Sequence, residues 1–176
     1  MPSVGVRGLL TMVRQLTATG MIVLAFAVFA PGVGERDRRE SNALATLRAI
    51  LSGETAYARV NGGDFDTLEC LTVPTCVPDA SGGQNAFLAP DLAGPRTRSG
   101  YRFEFHAGPT RGPGPGQGRS QSAMTRFAVV AVPTDLGRGQ LREFCTDDRG
   151  TIYSTLDGKV PRVEAGRCLD TASPVR

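Results

Sequence analysis

The chain has 176 residues, which suits one domain with a short appendage. Apolar residues make up 40% and charged residues 21%, as in ordinary globular proteins, but 22 glycines and 12 prolines predict a chain rich in loops. A net charge of +3 without a clustered basic face argues against a nucleic-acid-binding protein. The single histidine, His106, argues against histidine-rich metal sites and against most hydrolytic chemistry.

A long apolar run dominates the N-terminus. Residues 15–34 carry no charge, Arg7 and Arg14 precede them, and no acidic residue occurs before Glu35. A membrane-spanning helix needs about 20 largely apolar residues, and positive residues stay on its cytoplasmic side. The sequence therefore predicts a single inner-membrane span with a cytoplasmic N-terminus and an exported remainder. The alternative is a signal peptide cleaved near Ala27–Ala30, with a cleavage box at 28–30 or 25–27, which would also export the domain.

An amphipathic pattern follows over residues 41–60 and predicts a helix that lies on a core. The apolar residues form one stripe with others beside it: Leu44, Leu47, Leu51 and Ala58, flanked by Ala43, Ile50 and Tyr57. Glu40 and Arg48 fall on other faces. The sequence Asn-Gly-Gly at 61–63 predicts the end of the helix, since glycine readily adopts the left-handed conformation. Proline and glycines at 31–34 predict a kink or local break before it.

The rest of the chain predicts a small antiparallel sheet over about 100–156. Residues 101–106 alternate apolar and polar side chains, as in a half-buried strand, and residues 127–132 are apolar on both faces, as in a central strand covered by the helix. Residues 141–146 and 151–155 predict a hairpin whose loop includes Gly150. The expected fold class is α+β.

Three further segments are expected to lie outside the sheet core. We interpret Asp147 and Asp148 in the hairpin loop as a solvated turn. Residues 107–119 are rich in glycine and proline and predict an exposed loop. The chain beyond the hairpin is expected to form a C-terminal tail.

Four cysteines in an exported domain predict two disulfides, and three pairings are possible. Cys70 and Cys76 lie six residues apart around a proline, whereas Cys145 lies in a predicted strand and Cys168 in the tail. We favour Cys70–Cys76 and Cys145–Cys168. A zinc site is disfavoured because no two cysteines have the C-x2-C spacing.

Several short blocks together resemble the type IV pilin and pseudopilin family. A basic leader precedes Gly8, and Pro31 is the twenty-third residue counted from Leu9. The block RESNALATLRAI at 39–50 is followed by Tyr57, as in one subgroup of the family. Blocks that resemble the head domain of the same subgroup are FLAPDL at 87–92, SGYRF at 99–103 and FCTDDRGTI at 144–152.

The resemblance implies three parts: a leader at 1–8, a transmembrane helix at 9–34 and an exported head at 35–176. The fold that it implies is a long N-terminal helix, embedded in the membrane over its first half and packed on the antiparallel sheet of the head. Gly8 and Leu9 would form the processing site. The implied partners are other pilins or pseudopilins, inner-membrane assembly proteins, prepilin peptidase and membrane lipid, with no nucleic acid.

One position departs from the family pattern. The fifth mature residue of the family is a glutamate that pairs with the N-terminal amine of a neighbouring subunit, whereas this chain has Val13 there, followed by Arg14. Leu9 also replaces the usual phenylalanine. The resemblance therefore implies a minor or tip subunit rather than a major one. The alternative is a membrane-anchored or secreted extracytoplasmic binding protein that uses a pilin-like head.

No catalytic, cofactor-binding or metal-binding residue is assigned, and the chain is not expected to be an enzyme. His106 lies on the polar face of its strand, and no activated nucleophile is evident near it. Pseudopilins can bind calcium in their heads, and carboxylates cluster at Asp64, Asp66 and Glu69, near Asn61. Their spacing does not match an EF-hand, and turn chemistry explains them equally well. The glycines and prolines at 112–116 lack the lysine of a phosphate-binding loop.

Overall fold

The computed structural model describes residues 32–76, 86–94, 96–112, 120–134, 141–169 and 173–175. They belong to one unit that extends from Pro31 to Arg176. The fold class is α+β, with one long helix and a five-stranded antiparallel sheet. Within the described residues, no helix is both long enough and apolar enough to cross a membrane. Residues 9–31 of the predicted membrane span lie outside the described residues.

The long helix α1 extends from Gly32 to Val60. The kink or break predicted at 31–34 involves the chain before Gly32, which lies outside the described residues. Glu35 forms ion pairs with Arg38 and Arg39, one turn further along, and such pairs stabilise the first turns of a helix. The helix ends where predicted: Gly63 has a positive φ of 87°, and its N–H donates to the Ala58 carbonyl at 2.8 Å.

One face of α1 is buried against the sheet. The predicted residues Ala43, Leu47, Ile50 and Tyr57 all lie in this core. Two acidic residues share the same face: Glu40 is 5% exposed and Glu54 is fully buried. The assignment of Glu40 to an outer face is therefore wrong, because Arg142 on the sheet provides the buried carboxylate with a partner.

Two short helices and a turn connect α1 to the sheet. They are α2 (Leu68–Leu71), a 3-10 turn (Pro74–Cys76) and α3 (Pro90–Ala93). The sheet strands are β1 (Thr97–Arg98), β2 (Tyr101–Ala107), β3 (Phe127–Pro133), β4 (Glu143–Asp147) and β5 (Ile152–Thr155). Neighbouring strands are consecutive in the chain and antiparallel. As predicted, β3 is central and buried along its whole length.

The alternating side chains of β3 serve two separate cores. Phe127, Val129 and Ala131 face α1, whereas Ala128, Val130 and Val132 pack with Cys145 and Cys168 on the other side. A small hairpin covers this second side and consists of β6 (Val163–Glu164) and β7 (Arg167–Cys168). The predicted C-terminal tail is thus partly wrong: its first part is a hairpin with strands too short to show a periodic pattern.

The edge of the sheet at β5 is covered by residues 173–175. The Ser154 N–H donates to the Ser173 carbonyl and the Val175 N–H donates to the Ile152 carbonyl, each at 2.8 Å. The last part of the chain thus satisfies backbone groups that an edge strand would otherwise expose.

Candidate functional site

The structure forms both disulfides that the sequence favours. Cys70–Cys76 joins α2 to the 3-10 turn, and Cys145–Cys168 joins β4 to β7. The predicted processing site, Gly8 and Leu9, lies outside the described residues, as do Val13 and Arg14.

The most distinctive polar site lies between α1 and the Cys70–Cys76 disulfide. We call it the Asp66 cluster; its members are Glu54, Tyr57, Asp66, Ser120 and Ser122. Its position follows from one backbone pairing, in which Phe65 and Met124 exchange two N–H···O=C hydrogen bonds of 2.8 Å. This pairing brings the chain just before β3 next to the chain just after α1.

Asp66 is the centre of the cluster and is fully buried. Its Oδ2 accepts a hydrogen bond from the Tyr57 hydroxyl at 2.9 Å. Its Oδ1 accepts bonds from the Thr67 N–H at 2.8 Å and from the Ser122 hydroxyl at 2.5 Å. Hydrogen bonds of this kind make a buried charged carboxylate tolerable in a protein interior.

Glu54 lies beside Asp66 and is also fully buried. Its Oε2 accepts the Asp66 N–H at 3.3 Å, whereas its Oε1 has no hydrogen-bond partner among the described residues. Burial raises the pKa of Glu54 well above its ordinary value; the Asp66 N–H opposes this shift and the Asp66 charge adds to it. Burial also raises the pKa of Tyr57, and the hydrogen bond to Asp66 reinforces the shift.

Two serines connect Asp66 to the disulfide. The Ser120 and Ser122 hydroxyl oxygens are 2.9 Å apart. The Ser120 Oγ lies 3.9 Å from Cys70 Sγ and 4.0 Å from Cys76 Sγ. Carboxylate oxygen and both sulfurs lie within 4.8 Å of one another, but oxidised sulfurs are not thiolate ligands, so this geometry does not favour a metal ion.

The structure separates the carboxylates considered for calcium. The oxygens of Asp66 are hydrogen-bonded inside the cluster, whereas buried Asp64 lies 3.3 Å from Arg111 Nε. Glu69 is exposed on α2, and the Asn61 side chain donates to the Tyr57 carbonyl at 3.0 Å. Each of these side chains thus has a separate position and environment in the turn after α1.

The interpretation of Asp147 and Asp148 as a solvated turn is wrong. Asp147 is fully buried and Asp148 is mostly buried. Asp147 accepts hydrogen bonds from the Arg149 guanidinium at 2.6 Å and from the Cys168 N–H at 3.0 Å. Burial would raise the pKa of Asp147, but these bonds outweigh it and hold the pKa below its ordinary value. Asp147 therefore attaches β7 to the sheet through its hydrogen bond from the Cys168 N–H.

His106 lies on β2 with its Nε2 3.8 Å from the Glu104 carboxylate. In the described part of the chain, Nε2 accepts or donates no hydrogen bond. In hydrolysis a histidine base is hydrogen-bonded to the nucleophile that it activates. His106 Nε2 makes no such bond within the described residues.

A pocket of about 170 Å³ lies between α1, the two short helices and the first two strands. Its apolar lining includes Ile50, Leu68, Phe103 and Phe105, and its charged lining consists of Glu69, Arg96 and Arg98. Arg98 is tied to Asp91 by a 3.0 Å ion pair. The pocket is large enough for a single apolar side chain or a small amphipathic molecule, with charged groups of both signs beside the apolar floor.

The sequence contains a usable signal for some of these missed residues. Glu54 continues the spacing 43, 47, 50, 54, 57 on the buried face of α1, so a charged residue interrupts an otherwise apolar stripe. Such an interruption indicates a buried carboxylate with a specific partner. Ser120 and Ser122 carry no such signal, because they follow a glycine-rich stretch and meet Asp66 only in the folded chain.

Comparison with protein-family models, with curated proteins and with solved structures finds no match for this chain. A functional assignment therefore rests on the residues and contacts of the chain itself.

Proposed function

We propose that this chain is a pilin-like structural subunit of a type IV pilus or a type II secretion-like system, in a minor or tip position. The observation that carries the proposal is the packing of α1 across one face of an antiparallel sheet of consecutive strands. That arrangement is the head fold that the family resemblance implies.

The proposed location is the inner membrane, crossed once, with the head in the periplasm or outside the cell. The two disulfides support an oxidising compartment. The basic residues before the apolar run support a cytoplasmic N-terminus. The proposed partners are other pilins or pseudopilins, inner-membrane assembly proteins and prepilin peptidase, with lipid around residues 9–34.

Intact-mass measurement of the full chain tests this proposal most directly. The chain is expressed in a bacterium that assembles type IV pili, with and without its prepilin peptidase. We expect peptidase-dependent loss of residues 1–8, so that the mature chain begins at Leu9. Gly8→Ser should block this cleavage, whereas the matched control Gly5→Ser in the same leader should not. An unprocessed chain in both strains would contradict the processing step.

The pocket supports a second candidate, an extracytoplasmic binding protein with the same head. Its apolar floor, with Arg96, Arg98 and Glu69 at the polar side, is the kind of lining that holds a small amphipathic molecule. This candidate predicts cleavage by signal peptidase near Ala27–Ala30, independent of prepilin peptidase, and release of a soluble head. Cross-linking in cells separates the two: recovery of other pilins supports the first candidate, and their absence with a soluble head supports the second.

A further inference from the structure

The turn that ends α1 contains an asparagine followed directly by a glycine, Asn61 and Gly62. The chain has two other asparagines, Asn42 and Asn85, and each of them precedes an alanine. Asn61 is partly exposed and Gly62 is exposed. A Cβ on Gly62 would meet nothing within 4 Å among the described residues, and its φ of 65° favours glycine over residues with a side chain. The backbone of Gly62 is therefore open to solvent.

The backbone N–H of Gly62 differs from the next two in the same turn. The Gly63 N–H donates to the Ala58 carbonyl at 2.8 Å, and the Asp64 N–H donates to the Asn61 carbonyl at 3.2 Å. Within the part of the chain that the structure describes, the Gly62 N–H has no hydrogen-bond acceptor. A backbone N–H that is hydrogen-bonded is held by its acceptor, whereas the Gly62 nitrogen is available to a neighbouring side chain.

The side-chain amide carbon of Asn61, Cγ, is the electrophile that this nitrogen can attack, because the ring that closes has five members. Hydroxide removes the Gly62 N–H proton, the nitrogen bonds to Cγ, and the Cγ–Nδ2 bond breaks. Nδ2 takes a proton from water and leaves as ammonia, which regenerates the hydroxide. Water then opens the cyclic imide: rupture of the new N–Cγ bond gives aspartate, and rupture of the original peptide C–N bond gives isoaspartate. Water is the only other reactant, and nothing is oxidised or reduced.

One hydrogen bond opposes this reaction. Asn61 Nδ2 donates to the Tyr57 carbonyl at 3.0 Å, which holds the side chain against the end of the helix. A single hydrogen bond between neutral groups contributes little net stability, so the barrier that it adds is small. Asn42 is in a different position, because the Ala43 N–H lies inside α1 and is bonded within the helix. The same reaction at Asn42 requires the helix to open locally first.

We propose that Asn61 is a site of spontaneous deamidation, with the Gly62 nitrogen as the internal nucleophile and with aspartate and isoaspartate as the products. This inference does not depend on the pilin-like assignment.

Deamidation weakens the end of α1. Both products carry a carboxylate, which cannot donate a hydrogen bond to the Tyr57 carbonyl. The new negative charge lies at the C-terminal end of a helix, where the helix dipole disfavours it, and close in the chain to buried Asp64 and Asp66. Isoaspartate also adds a carbon to the backbone before Gly63, which disturbs its bond to Ala58. We expect the midpoint of thermal unfolding, Tm, to fall by about 2–4 °C in the deamidated chain.

Ageing of the folded, oxidised full chain tests the proposal. Samples are held at physiological temperature in neutral and in mildly alkaline buffer, and peptide mass spectrometry follows the conversion of amide to carboxyl at each asparagine. Enzymatic methylation of isoaspartate identifies the rearranged product. We expect Asn61 to be converted at least about tenfold faster than Asn42, which the helix protects. The rate should rise with pH, because the nitrogen must lose its proton. A smaller ratio, or a rate that does not rise with pH, would overturn the proposal.

The contribution of the fold is measured separately, because a glycine after an asparagine favours ring closure in any chain. The same conversion in urea-unfolded protein is the reference. We expect folding to slow the conversion of Asn61 by no more than about tenfold, since one hydrogen bond has to break. Folding should slow the conversion of Asn42 more strongly than that of Asn61. Slowing of Asn61 beyond this limit would show that the turn protects the site, contrary to the proposal.

Two glutamine variants connect the modification to its effect on stability. Asn61→Gln keeps an amide but would have to close a larger ring, so it should resist conversion and keep its Tm during ageing. Asn42→Gln is the matched control and should age as the wild type does. An equal fall in Tm in aged Asn61→Gln would show that another change weakens the chain and would contradict the effect assigned to deamidation.

Discussion

Glu40 on α1 and Arg142 just before β4 are joined by two hydrogen bonds and an ion pair. The Arg142 backbone N–H donates to Oε1 at 3.0 Å and its Nε donates to Oε2 at 2.8 Å, while Nη2 lies 2.7 Å from the same Oε2. Burial would raise the pKa of Glu40, but the bonds from Arg142 outweigh it and lower the pKa. This contact attaches the N-terminal half of the described helix to the sheet.

We expect Glu40→Gln to lower the free energy of unfolding by roughly 1–2 kcal/mol at pH 7, since Arg142 is partly exposed and retains some solvation. A lowered folded-state pKa means that the contribution of Glu40 is present above its unfolded pKa and is lost as pH falls through the folded pKa. The difference between wild type and variant should therefore shrink below about pH 4. Urea unfolding at pH 7 and pH 3.5 measures it; Asp37→Asn is the exposed control. A difference that is unchanged at pH 3.5 would contradict the ionic contact.

Glu54 should show the opposite pH dependence. Its raised folded-state pKa means that the folded chain holds this proton more tightly than the unfolded chain, so its burial costs stability as pH rises above the unfolded value. Glu54→Gln keeps an oxygen for the Asp66 N–H and removes the ionisation. We expect the variant to gain stability relative to wild type between pH 4.5 and pH 8, measured by urea unfolding. A relative loss over this range would show that Glu54 is needed as a charged group; Glu164→Gln is the exposed control.

Asp147 should be far more important than an ordinary turn residue. Asp147→Ala leaves the Cys168 N–H and the Arg149 guanidinium without their acceptor, so we expect a loss of about 2–4 kcal/mol in the free energy of unfolding. The matched control is Asp157→Ala, which removes an exposed ion pair with Lys159 and an exposed hydrogen bond from the Lys159 N–H, and should cost less than about 1 kcal/mol. Equal effects of the two variants in chemical denaturation would restore the solvated-turn interpretation.

Gly53 should resist replacement although it lies inside a helix. A Cβ at this position would meet the Phe87 carbonyl oxygen at 2.9 Å. Alanine favours a helix over glycine by about 1 kcal/mol, but the close backbone contact should outweigh this gain and lower stability by roughly 1–2 kcal/mol. Gly34→Ala in the same helix meets nothing within 4 Å and should be neutral or stabilising. Thermal unfolding of both variants decides this, and stabilisation by Gly53→Ala would contradict the packing argument.

The proposed minor or tip position leads to a prediction about assembly. A subunit inside a filament needs a carboxylate near the N-terminal amine of its neighbour, because an unpaired charge is costly in a helix bundle. Val13 offers none, and Arg14 adds a positive charge. We expect no filament composed mainly of this chain when it is overexpressed with the assembly machinery, sheared and viewed by electron microscopy. Val13→Glu should increase incorporation; abundant filaments of the unchanged chain would contradict the argument.

The sequence predicts the parts of the fold that depend on local patterns. The helix end at Val60 and the hairpin of β4 and β5 depend on glycines with positive φ, and β3 depends on a continuous apolar run. These signals lie within a few neighbouring residues, so no knowledge of distant contacts is needed. Both disulfides also agree with the favoured pairing, which rests on the spacing of the cysteines.

The buried acids could not be predicted in the same way. Glu40 and Asp147 carry charged side chains, which sequence alone assigns to the surface. Each is buried because an arginine or a backbone N–H donates a hydrogen bond to it in the folded chain. For Glu40 that arginine is 102 residues away. The Asp66 cluster depends likewise on the pairing of Phe65 with Met124, which no local pattern indicates. Polar partners that are distant in sequence are therefore where sequence reasoning fails for this chain.

The hydrogen bonds between residues 173–175 and β5 restrict how copies of this chain can associate. A neighbouring molecule cannot extend the sheet at that edge unless it first displaces the bound segment, since the Ile152 carbonyl and Ser154 N–H are already occupied. The same edge is protected against the strand-to-strand pairing that leads to aggregation. A tag fused after Arg176 should be joined through a flexible linker. Displacement of residues 173–175 would expose the backbone groups of β5 to pairing with a strand of another molecule.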